Sequence, residues 1–119
     1  MAYDKHYALA NRLYEKTVSG EKTWEETAQD DVFQLNFAKY SVRIRQKNVV
    51  NQDYPDYIIE IYDKDGAKID SYSDQDLDNS GNEYFNKLEE IYETARRQAL
   101  GTDQAIDEII AELDDDIPF

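Results

Sequence analysis

The acidic stretch 74–81 is the part of the chain whose residue types and spacing most resemble a metal site. Asp76, Asp78 and Ser80 lie at alternate positions and Gly81 follows, as the first ligands and the glycine of a calcium-binding EF-hand loop do. The twelfth position of such a loop must supply a bidentate glutamate. Here that position is Lys87, a cation, so this register cannot enclose calcium.

The second possible register of this loop fails for the same reasons. A loop that begins at Asp74 places Asn79 where the glycine belongs and Phe85 where the glutamate belongs. A loop that ends in a helix cap, with Ser80 and Glu83 as a capping box, explains the same residues without a metal. The sequence therefore predicts no metal site and no cofactor.

Other residues that could carry out catalysis do not form a recognisable set. The four glycines are scattered, so no phosphate-binding loop is present, and the absence of cysteine excludes thiolate chemistry. His6 is the only histidine, and no serine and acid accompany it with the spacing of a nucleophile elbow, so a packing or surface role is favoured. Because 27 of the 119 residues are acids, paired carboxylates carry almost no information. The prediction is a protein that is not an enzyme.

The net charge of −14 is unevenly distributed along the chain. Residues 1–47 hold seven acids and eight bases, whereas residues 48–119 hold twenty acids and five bases. Such a charge repels phosphate backbones and attracts basic protein surfaces, so we expect a protein partner and no direct nucleic-acid binding. The acids could equally serve solubility alone. No apolar run is long enough to span a membrane, which predicts a cytoplasmic protein without a membrane partner.

The end of the chain combines acids, an apolar residue, a proline and a terminal aromatic ring. Pro118 fixes its own φ and pushes Ile117 out of the helical region, so an extended tip is expected. Such a tip offers a ring, an α-carboxylate and a fringe of negative charge, which suit an apolar pocket with a basic rim. A frayed and solvated terminus is the alternative. The predicted partner-binding residues are Asp114, Asp115, Asp116, Ile117, Pro118 and Phe119.

This tip resembles the C-terminal tip of bacterial single-stranded DNA-binding protein. The resemblance covers six residues of 119 and implies that Phe119 is the anchor, Pro118 and Ile117 are flanking contacts, and the three acids from Asp114 to Asp116 are an electrostatic fringe. It implies as partner a DNA replication, repair or recombination enzyme, whose basic residue would hold the terminal carboxylate. In that family an OB-fold domain and a long linker precede the tip, and neither is found here. The resemblance therefore implies a shared partner surface rather than DNA binding.

The elements before the tip follow from hydrophobic periodicity. Apolar residues at helical spacing predict a first helix over 4–18 and a second over 82–100. Alternation predicts strands over 32–37, 40–46, 57–62 and 67–72, with a turn near Ala38 and a hairpin turn that ends at Gly66. Thr23 and Glu26 have the form of a capping box, which predicts a short helical turn in which Trp24 plugs one end of the core.

A third helix is predicted after Gly101, with Thr102 and Asp103 at its start and a stripe of four apolar residues, Ile106, Ile109, Ile110 and Leu113. We expect this helix and the one before it to cover one face of the sheet. The predicted fold is α+β: an N-terminal helix, an antiparallel meander of three to four strands, two C-terminal helices and an extended acidic tip. Residues 1–113 would form one domain and residues 114–119 the docking tip.

Three functions are compatible with this sequence. The first is an adaptor or inhibitor that docks through its tip on a genome-maintenance protein. The second is an acidic DNA mimic or immunity protein whose folded body covers a basic nuclease surface. The third is a small bacterial domain of unknown role. The first two differ in whether the affinity resides in the tip or is spread over the body.

Overall fold

The computed structural model of the chain describes residues 3–78 and 81–115. It confirms the α+β fold, with one helix before an antiparallel sheet and two long helices after it. The elements in chain order are α1 (Asp4–Val18), β1 (Glu25–Glu26), β2 (Phe33–Asn36), β3 (Tyr40–Lys47), β4 (Asp56–Asp63), β5 (Lys68–Ser73), α2 (Asp74–Leu77), α3 (Glu83–Leu100) and α4 (Thr102–Asp115).

The sheet is a meander in which each strand pairs with the next, in the order β1-β2-β3-β4-β5. The register aligns apolar residues of one parity, so that Phe33, Ile44, Ile59 and Tyr72 face one another across four strands. This row is buried and forms the centre of the core, as strand alternation requires. The sheet has five strands rather than three to four, because the two-residue β1 is added at one edge.

The helices α1 and α3 pack against each other and close the apolar face of the sheet. Leu88, Ile91 and Ala95 of α3 are completely buried, and Ala10 of α1 meets them in the same core. The predicted stripes of these two helices are therefore confirmed.

The segment between α1 and β2 differs from the prediction. Trp24 is buried and its indole N–H donates to the Thr17 hydroxyl at 2.9 Å, which confirms that the ring plugs the core. The predicted helical turn is wrong, because Glu25 and Glu26 pair with β2 as the edge strand β1. Edge pairing satisfies backbone groups that an isolated turn would leave to water, and this tertiary contact outweighs the local capping signal.

The loop before α3 contains the short helix α2, which the periodicity did not predict. Its start is a capping box between Ser73 and Asp76. The cap predicted at Ser80 lies outside the described residues. The carboxylate of Asp78 accepts the backbone N–H groups of Tyr84 and Phe85 at 2.8 and 3.0 Å, so it satisfies the first turn of α3.

Helix α4 does not cover the sheet, and this part of the prediction is wrong. No residue of α4 is buried, and its four-residue apolar stripe faces solvent with 45–61% of each side chain exposed. A single residue, Gly101, connects α3 to α4 and adopts the left-handed conformation with φ of 65°. Antiparallel helix neighbours are joined by two to eight residues, so a one-residue connection leaves α4 no room to fold back onto the core.

Candidate functional site

The candidate site is the C-terminal arm, by which we mean α4 (Thr102–Asp115) and the four residues that follow it. Of the six predicted partner-binding residues, the structure places Asp114 and Asp115 in the last turn of α4. The helix thus continues two residues beyond the start expected for the extended tip. The reason is that the restriction of Pro118 reaches back only one residue. Residues 116–119, which include Ile117, Pro118 and Phe119, lie outside the described residues.

The arm begins at a defined point on the body. Gly101 ends α3, and its carbonyl oxygen accepts the N–H of Ala105 at 2.9 Å in the first turn of α4. The guanidinium of Arg97 in the last turn of α3 forms an ion pair with Asp103 in the first turn of α4. Both side chains are more than half exposed, so this pair contributes at most about 1 kcal/mol to stability. Helix α4 is therefore held to the body mainly by its chain connection.

The arm has two kinds of surface. The stripe of Ile106, Ile109, Ile110 and Leu113 is apolar and exposed. The remaining faces carry the acids, six in a helix without a single base: Asp103, Asp107, Glu108, Glu112, Asp114 and Asp115. An amphipathic helix that leaves its apolar face uncovered is suited to binding another surface, because soluble proteins bury such faces when they can.

The acids at the end of α4 oppose the helix dipole. The C-terminus of a helix carries partial negative charge, where cations are favourable and acids are unfavourable by about 0.3–1 kcal/mol each. Asp114 and Asp115 lie in that last turn, and no basic residue accompanies them. Their position therefore costs helix stability.

Sequence analysis did not identify the exposed stripe of α4 as part of a binding surface. Helical spacing of apolar residues has the same appearance whether the stripe is buried or exposed, so the spacing alone predicts burial against the sheet. The signal that distinguishes the two cases is the connection at Gly101, which is one residue long. A second signal is the lack of any base among 14 residues, which sets α4 apart from α1 and α3.

The only histidine lies in α1 and contacts β5. His6 Nε2 lies 2.6 Å from the Asp70 carboxylate, and its ring contacts Tyr3 and Tyr72 edge-on. The contacts agree with the predicted packing or surface role.

Two arginines of β3, Arg43 and Arg45, make specific contacts. Arg45 donates to Glu60 at 3.1 Å, and Lys68 and Tyr62 also contact this buried carboxylate. Burial opposes ionisation of Glu60, but the hydrogen bonds and the positive charges beside it outweigh that effect and hold its pKa below the usual value. Arg43 donates to Gln34 at 2.7 Å and stacks over the Tyr62 ring.

Two further features concern metals and membranes. Among residues 3–78 and 81–115, no group of three or more acidic or histidine side chains is arranged to hold a metal ion. Within the same residues, no helix is both long and apolar enough to cross a membrane.

Comparison with known proteins identifies no relative of this chain. No protein-family model matches it, and neither does any curated protein or any solved structure. Its function has to be inferred from its own residues.

Proposed function

We propose that this chain is a non-enzymatic adaptor or inhibitor that docks through its C-terminal tip on a cytoplasmic genome-maintenance protein. The observation that carries the proposal is that α4, which leads directly into the tip, leaves the folded body without burying a single residue. A helix of 14 residues is about 21 Å long, so it holds its far end away from the body. In this arrangement the tip can enter a pocket on a partner without a clash between the two folded domains.

The chemistry of the tip defines the pocket that it would enter. The ring of Phe119 would fill an apolar cavity, and the terminal carboxylate would bind an arginine or lysine at its base. The acids Asp114 and Asp115 would meet a basic rim and speed association. Binding also accounts for two acids at a helix end where they are unfavourable for the helix itself.

The test is a competition experiment with an enzyme known to bind the tip of single-stranded DNA-binding protein. The intact chain, labelled on its body, is bound to that enzyme and followed by fluorescence anisotropy. A free peptide with the sequence of residues 114–119 should displace it, whereas a peptide of the same six residues in scrambled order should not. Failure of the ordered peptide to displace the chain would refute docking through the tip.

A second candidate function is the acidic mimic, in which the body covers a basic surface. The observation in its favour is an open groove beside α3 in which three acids, Glu89, Glu90 and Glu93, outnumber the single cation Lys87. A chain that ends at Gly101 retains this groove and lacks the arm. Binding of a basic nuclease by that shortened chain, with unchanged affinity, would favour the mimic over the adaptor.

A further inference from the structure

One end of the sheet gathers cations and exposed aromatic rings in a chain that is otherwise strongly acidic. This end comprises the turn between β2 and β3 and the adjacent hairpin turn between β4 and β5, which line one open depression. We call it the basic end of the sheet and define it by six residues, Lys22, Phe37, Lys39, Tyr40, Arg43 and Lys64.

The aromatic residues at the basic end are not used by the core. Phe37 is 44% exposed and Tyr40 is 51% exposed, although both flank a tight turn whose backbone is fixed by a 2.8 Å hydrogen bond. The ammonium group of Lys22 lies over the Phe37 ring at 5.7 Å from its centre. The surface therefore offers apolar area with positive charge around it.

The cations at the basic end form no close ion pair, although the charge of Lys22 also acts on the adjacent Glu21, whose main partner is Lys16. Lys22, Lys39, Arg43 and Lys64 make no ion pair within the described parts of the chain, whereas Arg45 and Lys68 nearby share Glu60. Asp63 also lines the depression, but one of its carboxylate oxygens already accepts two N–H groups of the hairpin turn. Among the residues that line the depression, the three cations Lys39, Arg43 and Lys64 outnumber the single acid Asp63, so this surface suits an acidic ligand.

Helix α4 has the complementary chemistry. It presents an uncovered stripe of four aliphatic side chains and six acids without a base. The aliphatic stripe matches exposed aromatic rings, and the acids match unpaired cations. No other helix or strand in the described chain combines an uncovered apolar face with a purely acidic surround.

The two surfaces also lie near each other on the molecule. Gln98, in the last turn of α3, accepts the N–H of Trp24 and donates to the carbonyl oxygen of Lys22. The segment that carries Lys22 therefore lies against the end of α3, three residues before Gly101, where α4 begins. In each copy, α4 begins close to the basic end of the sheet. Two copies related by a two-fold axis could therefore each place α4 on the basic end of the other.

We propose that α4 of one copy binds the basic end of the sheet of a second copy, and that the second copy returns the same contact, to form a symmetric dimer. A direct pairing of two α4 helices is disfavoured, because it would bring twelve acids together without a base. A single helix about 21 Å long covers less than the ~800 Å² that each partner buries in a standard interface. A symmetric dimer contains this contact twice, which doubles the buried area.

The experiment is sedimentation equilibrium on the full chain over a range of protein and salt concentrations. The wild type should show a monomer–dimer equilibrium that weakens as salt screens the charges. The variant Lys39→Glu/Lys64→Glu should dimerise at least ~10-fold more weakly, as should Ile109→Asp, because each disrupts one of the two surfaces. The control Lys5→Glu/Arg12→Glu makes the same charge change on exposed positions of α1 and should dimerise like the wild type.

The decisive measurement is made on a mixture of the two disrupted variants. The Ile109→Asp chain keeps its basic end, and the Lys39→Glu/Lys64→Glu chain keeps its α4, so the mixture restores one of the two reciprocal contacts. It should associate more strongly than either variant alone. All substituted side chains are exposed, and circular dichroism confirms that each variant is folded.

Three results would overturn the proposal: a wild type that stays monomeric at its highest soluble concentration, a dimer that the basic-end variant leaves intact, or a mixture that gains nothing. The outcome is independent of docking through the tip, because Phe119→Ala should leave this dimer unchanged.

Discussion

Deleting residues 102–119 should leave the stability of the folded body almost unchanged. The removed segment contains no buried residue of α4, and its described ion pair with the body, Arg97 to Asp103, is exposed. An exposed pair contributes about 0–1 kcal/mol, so the free energy of unfolding should fall by less than about 1 kcal/mol. Replacing Ile91, which is completely buried in α3, by alanine should cost about 2–5 kcal/mol and serves as the contrast.

The assay is urea unfolding followed by the fluorescence of Trp24, the single tryptophan, which reports on the core directly. Protein is kept dilute, so that the proposed dimer does not add to the measured stability. Two salt concentrations are compared, since the deletion removes seven of the 27 acids and none of the bases. A loss of more than ~2 kcal/mol at both salt concentrations would show that the deleted segment packs on the body and would refute the description of α4 as an unburied helix.

Further predictions concern two buried carboxylates and the expected absence of ligands. Burial raises the pKa of Asp74, whose carboxylate accepts the N–H of Tyr57 at 2.8 Å, so ionising it on the way to neutral pH costs stability. Asp74→Asn keeps the hydrogen-bond acceptor and should leave the free energy of unfolding at pH 7 unchanged or raise it. Asp74→Ala removes the acceptor and should lower it by about 1–3 kcal/mol. Equal losses in thermal unfolding of the two variants would be inconsistent with this reasoning. The lowered pKa of Glu60 contributes stability above its unfolded pKa near 4.5 that is lost as the pH falls, so Glu60→Gln should destabilise at pH 7 and flatten the acid limb of a stability–pH curve. Calorimetry should detect no saturable calcium site at ~1 μM, the concentration range in which sensor loops bind calcium. The chain should also not bind DNA, and a gel shift with DNA that weakens with added salt would contradict this prediction.

Much of the fold could be predicted from the sequence because strand alternation and helical spacing are local signals. The buried row across β2–β5 is the direct result of alternation, and the hairpin turn at Gly66 requires the positive φ of 87° that it adopts. The capping box at Thr23 gave a wrong prediction because a helix cap is worth only about 1 kcal/mol. In the folded protein Glu25 and Glu26 pair with β2 instead.

The position of α4 could not be read from its own periodicity. An apolar stripe shows which face of a helix is hydrophobic but does not show what covers that face. The feature that indicates an uncovered stripe is the one-residue connection at Gly101. The basic end of the sheet was missed for a related reason. Lys22, Lys39 and Lys64 are far apart in sequence, and only the sheet register and the position of the α1–β1 segment bring them to one end.

The measurement that tests docking through the tip most directly is the affinity of an enzyme that binds the tip of single-stranded DNA-binding protein for three forms of this chain. These are the wild type, Phe119→Ala and a form extended by a few residues beyond Phe119, with Lys5→Glu as a matched surface control. Losing the ring removes apolar burial and leaves the pocket to water, so Phe119→Ala should cost roughly 2 kcal/mol or more. The extension replaces the terminal carboxylate by a neutral amide opposite a basic residue and should be as damaging. Changing Asp114 and Asp115 to asparagine should act more weakly, mainly on the association rate, and the difference should shrink with salt.

In calorimetry or anisotropy, the proposal predicts that the wild type and the surface control bind alike, while both tip variants bind at least ~30-fold more weakly, the equivalent of that 2 kcal/mol. Equal binding by all four forms, or no binding by any, would contradict docking through the tip.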